Sequence, residues 1–406
     1  MLHEEFDWKV FETRLEAAKS DMVLHNMLHT WGDWEKYYQQ YPISPAGWNF
    51  IELLRSPVFS RFQNKVFCLF PNHTTVNIGT LATWLVKRAN ETNSNNTTQE
   101  LIRYLQLDSH NLNITSVIPA LRIEQDIQLD HDLLLTSKIP PYLNFEHLNN
   151  LIRKTGNNSF PYSFLIERKT VSSHHEASDD ELNAAQQVEN YKWNVLSILG
   201  LFTERESPAF LGMWTLLESG APFSGWLDVH RNYYPELKLP NMMEELGSDK
   251  IEHFQNTLNT FLNIPPKLRK PIEIGLFRLG QAMNTMNTTQ KAIDLGIALE
   301  CILTAPSTKD QLSFQFRTIG SLLVGGDFEE RKRNFWLFKA IYNLRSQAVH
   351  NGEISAEEKI PDRGKTSTSL IIHEGIALAQ KAYLAIIQKG GLDEAGYTDL
   401  MLAKYD

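Results

Sequence analysis

An arginine and a histidine stand five positions apart near the end of a long, largely apolar segment, at Arg345 and His350. A histidine can take the proton from a ribose 2′-hydroxyl or give one to a leaving oxygen, because histidine titrates near neutral pH. An arginine offers fixed charge and a forked set of donors to a phosphate in its transition state. The two residue types are therefore chemically suited to RNA cleavage without a metal ion, although the pair alone does not establish it. An alternative is structural, because both residue types also stabilise the C-terminal carbonyls and dipole of a helix.

Spacing alone does not single out this pair. Arg103 precedes His110 and Arg168 precedes His174 at similar distances along the chain. The sequence places the first of these at the end of a short helix and the second between a strand and a polar segment. Context favours Arg345, which follows a strongly apolar helical pattern and precedes a glycine suited to end a helix.

Three consecutive helical segments supply that context: DLGIALECIL (294–303), a helix that contains Arg317, and EERKRNFWLFKAIYNLRSQAVHNG (329–352). Together they resemble the Apea-like branch of the HEPN family, over about 266–390. The resemblance implies a homodimeric helical bundle with one composite site, and a metal-independent endoribonuclease that cleaves tRNA or other cellular RNA. It also implies an effector of anti-phage defence, abortive infection or toxin type, with a phage-derived trigger or partner protein. The alternative is a non-catalytic HEPN module that only binds or dimerises.

Within the resemblance, Arg345 and His350 are the expected catalytic residues. Ser346 occupies a position where many HEPN enzymes have Asn, Asp or His, and Asn351 is an extra residue before the glycine. In a regular helix, positions five apart differ by about 140° and about 7.5 Å of rise. We therefore expect the two side chains to reach one phosphate only if the helix unwinds at Asn351 and Gly352.

Four further groups of polar residues bear on the site. The resemblance implies that Glu300 and Arg317 support it, and the alternative is that they pair with each other or with solvent. A basic cluster of Arg331, Lys332 and Arg333 is expected either to guide RNA or to be ordinary solvated helix charge. His25 and His29 share a helix face but lack an acidic third ligand, and His174-His175 fall in a polar segment, so no metal and no cofactor are expected.

Composition fits a globular protein with two or three domains: 406 residues, 42% hydrophobic and 21% charged. The net charge of −9 argues against a constitutive nucleic-acid binder, so any RNA must be met by a local basic site. The two cysteines lie in apolar runs and are expected to be buried free thiols. The sequence has no recognisable secretory signal and no long apolar window, so we expect a cytoplasmic protein that does not contact a membrane.

Hydrophobic periodicity predicts an α+β protein. A mixed N-terminal domain with helices and a small sheet (1–171), the proposed sensor or regulatory part, precedes a polar linker (172–187). A helical connecting region (188–265) and a HEPN-like helical bundle (266–406) follow, so the C-terminal region is expected to be all-α. A period-two pattern predicts paired strands over 117–136, and two further strands are predicted at the short apolar run KVFCLF (65–70) and at SFPYSFLIERKTV (159–171). NETNSNNTTQ (90–99) predicts a loop, and FLGMWTLLE (210–218) predicts a helix.

Overall fold

The structure is a computed structural model of the chain. It describes residues 6–26, 40–62, 65–69, 72–76, 78–106, 109–140, 161–172, 179–217, 230–231, 240, 242–304 and 311–402.

The N-terminal part is a cluster of helices with its own apolar core. Its helices are α1 Trp8–Ala18, α2 Met22–Asn26, α3 Pro45–Leu54, α4 Ile78–Glu91 and α5 Ser94–Gln106, with a 3₁₀ turn at Pro57–Phe62 and a hairpin of β1 Lys65–Leu69 and β2 Asn72–Val76. Helix α1 begins where Asp7 Oδ1 accepts hydrogen bonds from the amides of Lys9 and Val10, each 3.0 Å. The core contains Phe11, Phe50 and Trp84, all buried.

A six-stranded antiparallel sheet follows, in the order β5-β6-β7-β3-β8-β9. Its strands are β3 Ser109–Pro119, β5 Ile127–Gln128, β6 Leu133–Thr136, β7 Tyr162–Ser172, β8 Gly212–Leu217 and β9 His230–Arg231, while β4 Leu121–Ile123 pairs in parallel with β10 Glu244–Leu246. The longest contact joins β3 to β7 from Ser109 opposite Ser172 to Pro119 opposite Tyr162. The predicted strands over 65–70, 117–136 and 159–171 are confirmed.

Helix α6 (Asp179–Leu199) packs on the sheet through a buried ionic cluster. The fully buried Nζ of Lys192 lies 2.6 Å from Glu167 of β7 and 2.6 Å from Glu189. Burial alone would lower the pKa of Lys192, but the two carboxylates outweigh it and raise the pKa. The cluster joins one lysine to two carboxyl groups inside the protein, and burial raises the pKa of Glu189.

The C-terminal part is mostly helical, and its helices pack as a bundle around one apolar core. They are α7 Ser248–Leu262, α8 Pro266–Asn284, α9 Thr288–Leu303, α10 Leu312–Val324, α11 Phe328–Asn351, α12 Thr368–Gln388 and α13 Glu394–Leu402, with a hairpin of β11 Glu357–Ile360 and β12 Gly364–Ser367. Helix α9 lies at the centre, in contact with α8, α10, α11 and α12. The core cluster extends from Ile118 in the sheet to Tyr397 in α13, so it includes residues on both sides of 172–187.

Among the described residues, helix α12 is long and apolar enough to cross a membrane by length and composition. More than half of its apolar window, 56%, is buried inside the protein. A central helix of a globular core passes the same test, and Ile371, Ala379 and Tyr383 of α12 belong to that core.

Two segments predicted to be irregular are helical. The loop predicted over 90–99 is wrong from Ser94 onward, because Asn93 Oδ1 caps the helix by accepting from the Asn96 amide at 2.7 Å. The hydroxyl of Ser94 donates to Glu16 at 2.6 Å. The polar side chains of this segment therefore find hydrogen-bond partners within the folded protein. The segment predicted as a linker overlaps β7 at Ser172 and is helical from Asp179, where an acidic first turn suits the helix dipole.

Other differences concern the second half of the chain. FLGMWTLLE forms strand β8 and not a helix, because a short apolar run has no decisive period and β3 offers it a partner. The C-terminal region is mostly but not entirely α-helical, since β8–β12 lie in it. Helix α8 begins at Pro266, and Pro271 lies inside it. Helix α13 had no counterpart in the prediction.

Candidate functional site

Helix α11 carries the Arg345–His350 motif and is regular through Asn351. It begins where Asp327 Oδ1 accepts from the Glu330 amide at 2.8 Å. It ends at Gly352, whose left-handed backbone (φ 75°) caps the helix while its amide donates to the Ala348 carbonyl at 3.1 Å. The unwinding that would bring both side chains to one phosphate therefore does not occur at His350.

The guanidinium of Arg345 is fixed against helix α9. Its Nη2 donates to Glu300 Oε2 at 2.9 Å, and the two side chains are 25% and 22% exposed. Gly296 makes this approach possible, because a Cβ at that position would lie 2.3 Å from Arg345 Cγ. The Nε of Arg345 is buried and has no hydrogen-bond partner among the described groups. The arginine thus keeps one buried donor uncommitted, while its side chain as a whole is one quarter exposed.

The carboxylate of Glu300 is held in a partly desolvated position. Burial raises its pKa above the ordinary value, and the nearby charge of Arg345 only partly opposes this. A carboxylate that is costly to ionise pairs closely with the arginine that compensates it. Glu300 therefore orients Arg345 across the α9–α11 contact.

His350 lies in the last turn of α11 and is exposed, as is Asn351, whereas Ser346 is half-buried. Five positions of regular helix separate Arg345 and His350 by about 140° around the axis. Within one chain the helix does not place these two side chains on the same face. A site that uses both needs a substrate that bends around the helix, or a second copy of the chain.

Arg317 is not paired with Glu300, which contacts Arg345 instead. Its guanidinium lies 5.5 Å from the ring of Phe314 and 4.8 Å from the ring of Phe335. The Nε of Arg317 is buried and without a hydrogen-bond partner in the described part of the chain. The expectation that Glu300 and Arg317 pair with each other is therefore wrong, and stacking on aromatic rings replaces it.

The basic cluster of Arg331, Lys332 and Arg333 lies in the second turn of α11. Lys332 Nζ is 3.5 Å from Glu329, and the lysine side chain is 50% exposed. Arg333 is exposed and Arg331 half-buried. These cations lie on the same helix as His350, about five turns earlier.

The other candidate residues do not come together in the described ranges. Arg103 lies on α5 while His110 lies on β3, and Arg168 is an exposed residue of β7. No group of three or more His, Cys, Asp or Glu residues positioned for a metal is found among residues that the structure describes. His25 lies in α2, whereas His29, His174 and His175 fall outside the described residues.

Sequence reasoning missed two features of α11. Gly296 of the neighbouring helix α9 makes room for Arg345. The sequence indicated this only by a glycine inside a strong helical pattern. The residues Trp336, Lys339 and Asn343 are half-buried on the outward side of the helix. Their three- and four-residue spacing from Lys332 to His350 was visible in the sequence.

Comparisons of the chain with protein-family models, with curated proteins and with solved structures found no match.

Proposed function

We propose that this protein is a metal-independent endoribonuclease in which Arg345 and His350 act on the scissile phosphate. The observation that supports it most is the placement of Arg345, whose guanidinium is anchored by Glu300 while its side chain stays 25% exposed. An anchored guanidinium is already organised to stabilise charge that develops on a phosphate. His350, exposed on the same helix, is the proton-transferring group.

In this mechanism the ribose 2′-oxygen attacks the adjacent phosphorus while His350 removes its proton. Arg345 stabilises the negative charge on the non-bridging oxygens. The bond to the 5′-oxygen breaks, and a protonated histidine supplies the proton to that oxygen. The products are a 2′,3′-cyclic phosphate and a 5′-hydroxyl, and no water or metal enters this step.

Arg345 and His350 point in different directions around α11. A composite site between two copies of the chain would bring Arg345 of one copy and His350 of the other to the same phosphate. An apolar line along this helix supports dimerisation through its two exposed ends. Its members Phe328, Phe335, Tyr342 and Val349 recur every seven residues, and the two middle ones contact α10 of the same chain. Phe328 is 68% and Val349 50% exposed. A symmetric contact of two such helices near their C-terminal ends brings Arg345 of one copy toward His350 of the other.

The first test is incubation of purified protein with total tRNA in the presence of EDTA. Arg345→Ala and His350→Ala are compared with wild type, and Arg55→Ala and His253→Ala serve as matched controls, because Arg55 also forms an ion pair and His253 is also an exposed helical histidine. Cleavage by wild type and both controls, with 2′,3′-cyclic phosphate ends, is the expected result. Cleavage that persists in either site variant, or that requires a divalent ion, refutes the mechanism.

Mixing the two inactive variants tests the composite site. A mixed dimer has one site with both substitutions and one site with an intact arginine from one copy and an intact histidine from the other. Random exchange therefore restores roughly one quarter of the wild-type activity. No recovery, after exchange of subunits has been verified by mass, means that both residues act from the same chain.

We further propose that cleavage serves anti-phage defence or growth arrest, with tRNA or another cellular RNA as substrate. On this proposal residues 1–171 restrain the bundle until a phage-derived trigger is present. Overexpression should stop growth in cells that carry wild type and not in cells that carry Arg345→Ala. If purified protein leaves RNA intact, addition of lysate from phage-infected cells should activate it.

The second candidate is a HEPN module that binds or dimerises without catalysis. The Arg345–Glu300 ion pair favours it, since the pair also serves simply to join α9 to α11. This candidate expects Arg345→Ala to lower thermal stability. It also expects RNA to remain intact with wild type and every variant, with or without infected-cell lysate.

A further inference from the structure

Helix α11 concentrates positive charge in an acidic protein. Between Glu330 and Gly352 the sequence contains no aspartate or glutamate, although the whole chain has a net charge of −9. The cations in that interval are Arg331, Lys332, Arg333, Lys339 and Arg345. A local positive surface in an otherwise negative protein attracts polyanions to one place and disfavours them elsewhere.

The outward side of α11 carries a polar stripe next to the apolar line. Its members are spaced by three or four residues and therefore lie on one helix face: Lys332, Trp336, Lys339, Asn343, Ser346 and His350. None of them is among the buried residues of the helix, which face α9, α10 and α12. The stripe is about 27 Å long, enough for a strand of several nucleotides.

The centre of the polar stripe combines an aromatic ring with a cation. Lys339 Nζ lies 5.2 Å from the centre of the Trp336 ring. The centroids of the Trp336 and Phe335 rings are 5.1 Å apart, and the two rings are nearly perpendicular. An indole held by its neighbours is a platform on which a nucleobase stacks, and an adjacent ammonium binds the phosphate that follows. Asn343 and Ser346 then offer hydrogen bonds to the sugar or base before the strand reaches His350.

We propose that the polar stripe binds single-stranded RNA and leads it to His350. A base stacks on Trp336, and Lys332 and Lys339 contact phosphates. Duplex RNA is a poor ligand for this surface, because its bases are stacked within the helix and present no open face to the indole. This inference rests on the proposed function, since it names the form of RNA that the same site receives.

Binding is measured separately from cleavage with a fluorescein-labelled dodecamer of 2′-O-methyluridylate. This probe lacks the attacking 2′-hydroxyl, so it cannot be cut. Fluorescence anisotropy compares it with the same strand paired to 2′-O-methyladenylate. The variants are Lys339→Gln, Trp336→Leu and Trp336→Phe, and the matched control is Lys138→Gln, an 81% exposed lysine in an ion pair elsewhere on the surface.

The single strand should bind more tightly than the duplex. Trp336→Leu should weaken it roughly 5- to 150-fold, the range for loss of one stacked base, whereas Trp336→Phe retains most of the affinity. Lys339→Gln should reduce the slope of log affinity against log salt by about 0.7, the value for one phosphate contact on a single strand. Lys138→Gln should bind as wild type does.

Three results overturn the proposal: no binding of the single strand, tighter binding of the duplex, or unchanged affinity and salt slope in Lys339→Gln. Because Trp336 also packs on the core, thermal melting accompanies its variants, and Lys339→Gln decides the matter if Trp336→Leu unfolds. Loss of dimer in both Trp336→Leu and Lys339→Gln would instead assign the stripe to a second copy of the chain. If the single strand binds but unmodified RNA is not cleaved, the nuclease proposal is wrong and the RNA-binding proposal stands. If cleavage is the same in Lys339→Gln as in wild type, the nuclease proposal stands and the RNA-binding proposal is wrong.

Discussion

Replacement of Gly296 by alanine should inactivate the proposed enzyme, although Gly296 itself is not proposed to contact RNA. In the native structure a Cβ at position 296 would lie 2.3 Å from Arg345 Cγ and 2.6 Å from Arg345 Cβ. Ordinary carbon contacts are about 3.5–4.0 Å, so the two helices or the arginine must move by about 1 Å. The atoms concerned are next to the Arg345 backbone, and rotation of the distal side chain does not relieve the overlap.

The stability effect of Gly296→Ala is a difference of two terms. Alanine favours the helix interior over glycine by about 1 kcal/mol, and overpacking costs about 1–3 kcal/mol. The free energy of unfolding should therefore fall by between roughly zero and 2 kcal/mol. The activity effect should be much larger, because a displacement of about 1 Å at a catalytic group costs about 100-fold in rate.

The assay pairs thermal or denaturant unfolding with tRNA cleavage in EDTA. Gly280→Ala is the matched control, since Gly280 also lies inside a helix and its new Cβ meets only the Ser207 hydroxyl, at 3.2 Å. The control should gain stability or stay neutral, with full activity. A Gly296→Ala protein that cleaves tRNA as fast as wild type would show that the position of Arg345 against α9 has no part in catalysis.

Three further predictions concern charge and helix ends. Glu300→Gln should remove one contribution to the pH dependence of stability. Because the pKa of Glu300 is raised, the folded state holds this proton more tightly than the unfolded state, and the free energy of unfolding of wild type should fall relative to that of the variant as pH rises through that pKa. Unfolding free energies that change with pH in parallel for the two proteins would contradict this. Lys192→Met should lower the free energy of unfolding by about 3–5 kcal/mol, measured with denaturant, because it leaves two buried carboxylates without their cation. Replacing both Glu167 and Glu189 by glutamine in the same protein should restore much of this loss. Gly352→Ala should lower the free energy of unfolding by about 1–2 kcal/mol, because φ at position 352 is 75°. Amide hydrogen exchange should become faster in the last turn of α11, around His350. Unchanged exchange there would argue against a role of Gly352 as the helix cap.

Periodicity in the sequence was sufficient to predict the long elements of the fold. Helices α9 and α11 were predicted as helical segments, with a glycine as the end of α11. The paired strands β4, β5 and β6 were predicted from alternation and β7 was predicted as a strand, whereas most of β3 was not predicted. In these elements local preference and burial agree, which is why a single sequence reveals them.

The errors arose where distant partners decide local structure. Strand β8 is apolar enough for either a strand or a helix, and its pairing with β3, about a hundred residues earlier in the chain, decides the outcome. Helix α5 begins in an asparagine-rich segment whose polar groups bond to one another and to Glu16 of α1. Composition alone cannot show such long-range satisfaction of hydrogen bonds.

The sequence predicted candidate site residues, which stay a prediction, and it did not predict their arrangement. The motif and its family resemblance pointed to Arg345 and His350. The partnership of Arg345 with Glu300 depends on how α9 and α11 pack, and the stacking of Arg317 on Phe314 and Phe335 depends on the α10–α11 contact. Neither can be read from spacing along one helix.

The continuity of the larger core has a consequence for synthesis of the protein on the ribosome. Residues 6–105 complete a core of their own, and the first helical cluster can fold while later residues are still being made. The six-stranded sheet cannot be completed until β8 and β9 emerge, and the bundle cannot be completed until α12 does. A nascent chain therefore assembles its Arg345-bearing helix last, after the N-terminal half is in place, so translation itself delays the appearance of any nuclease activity.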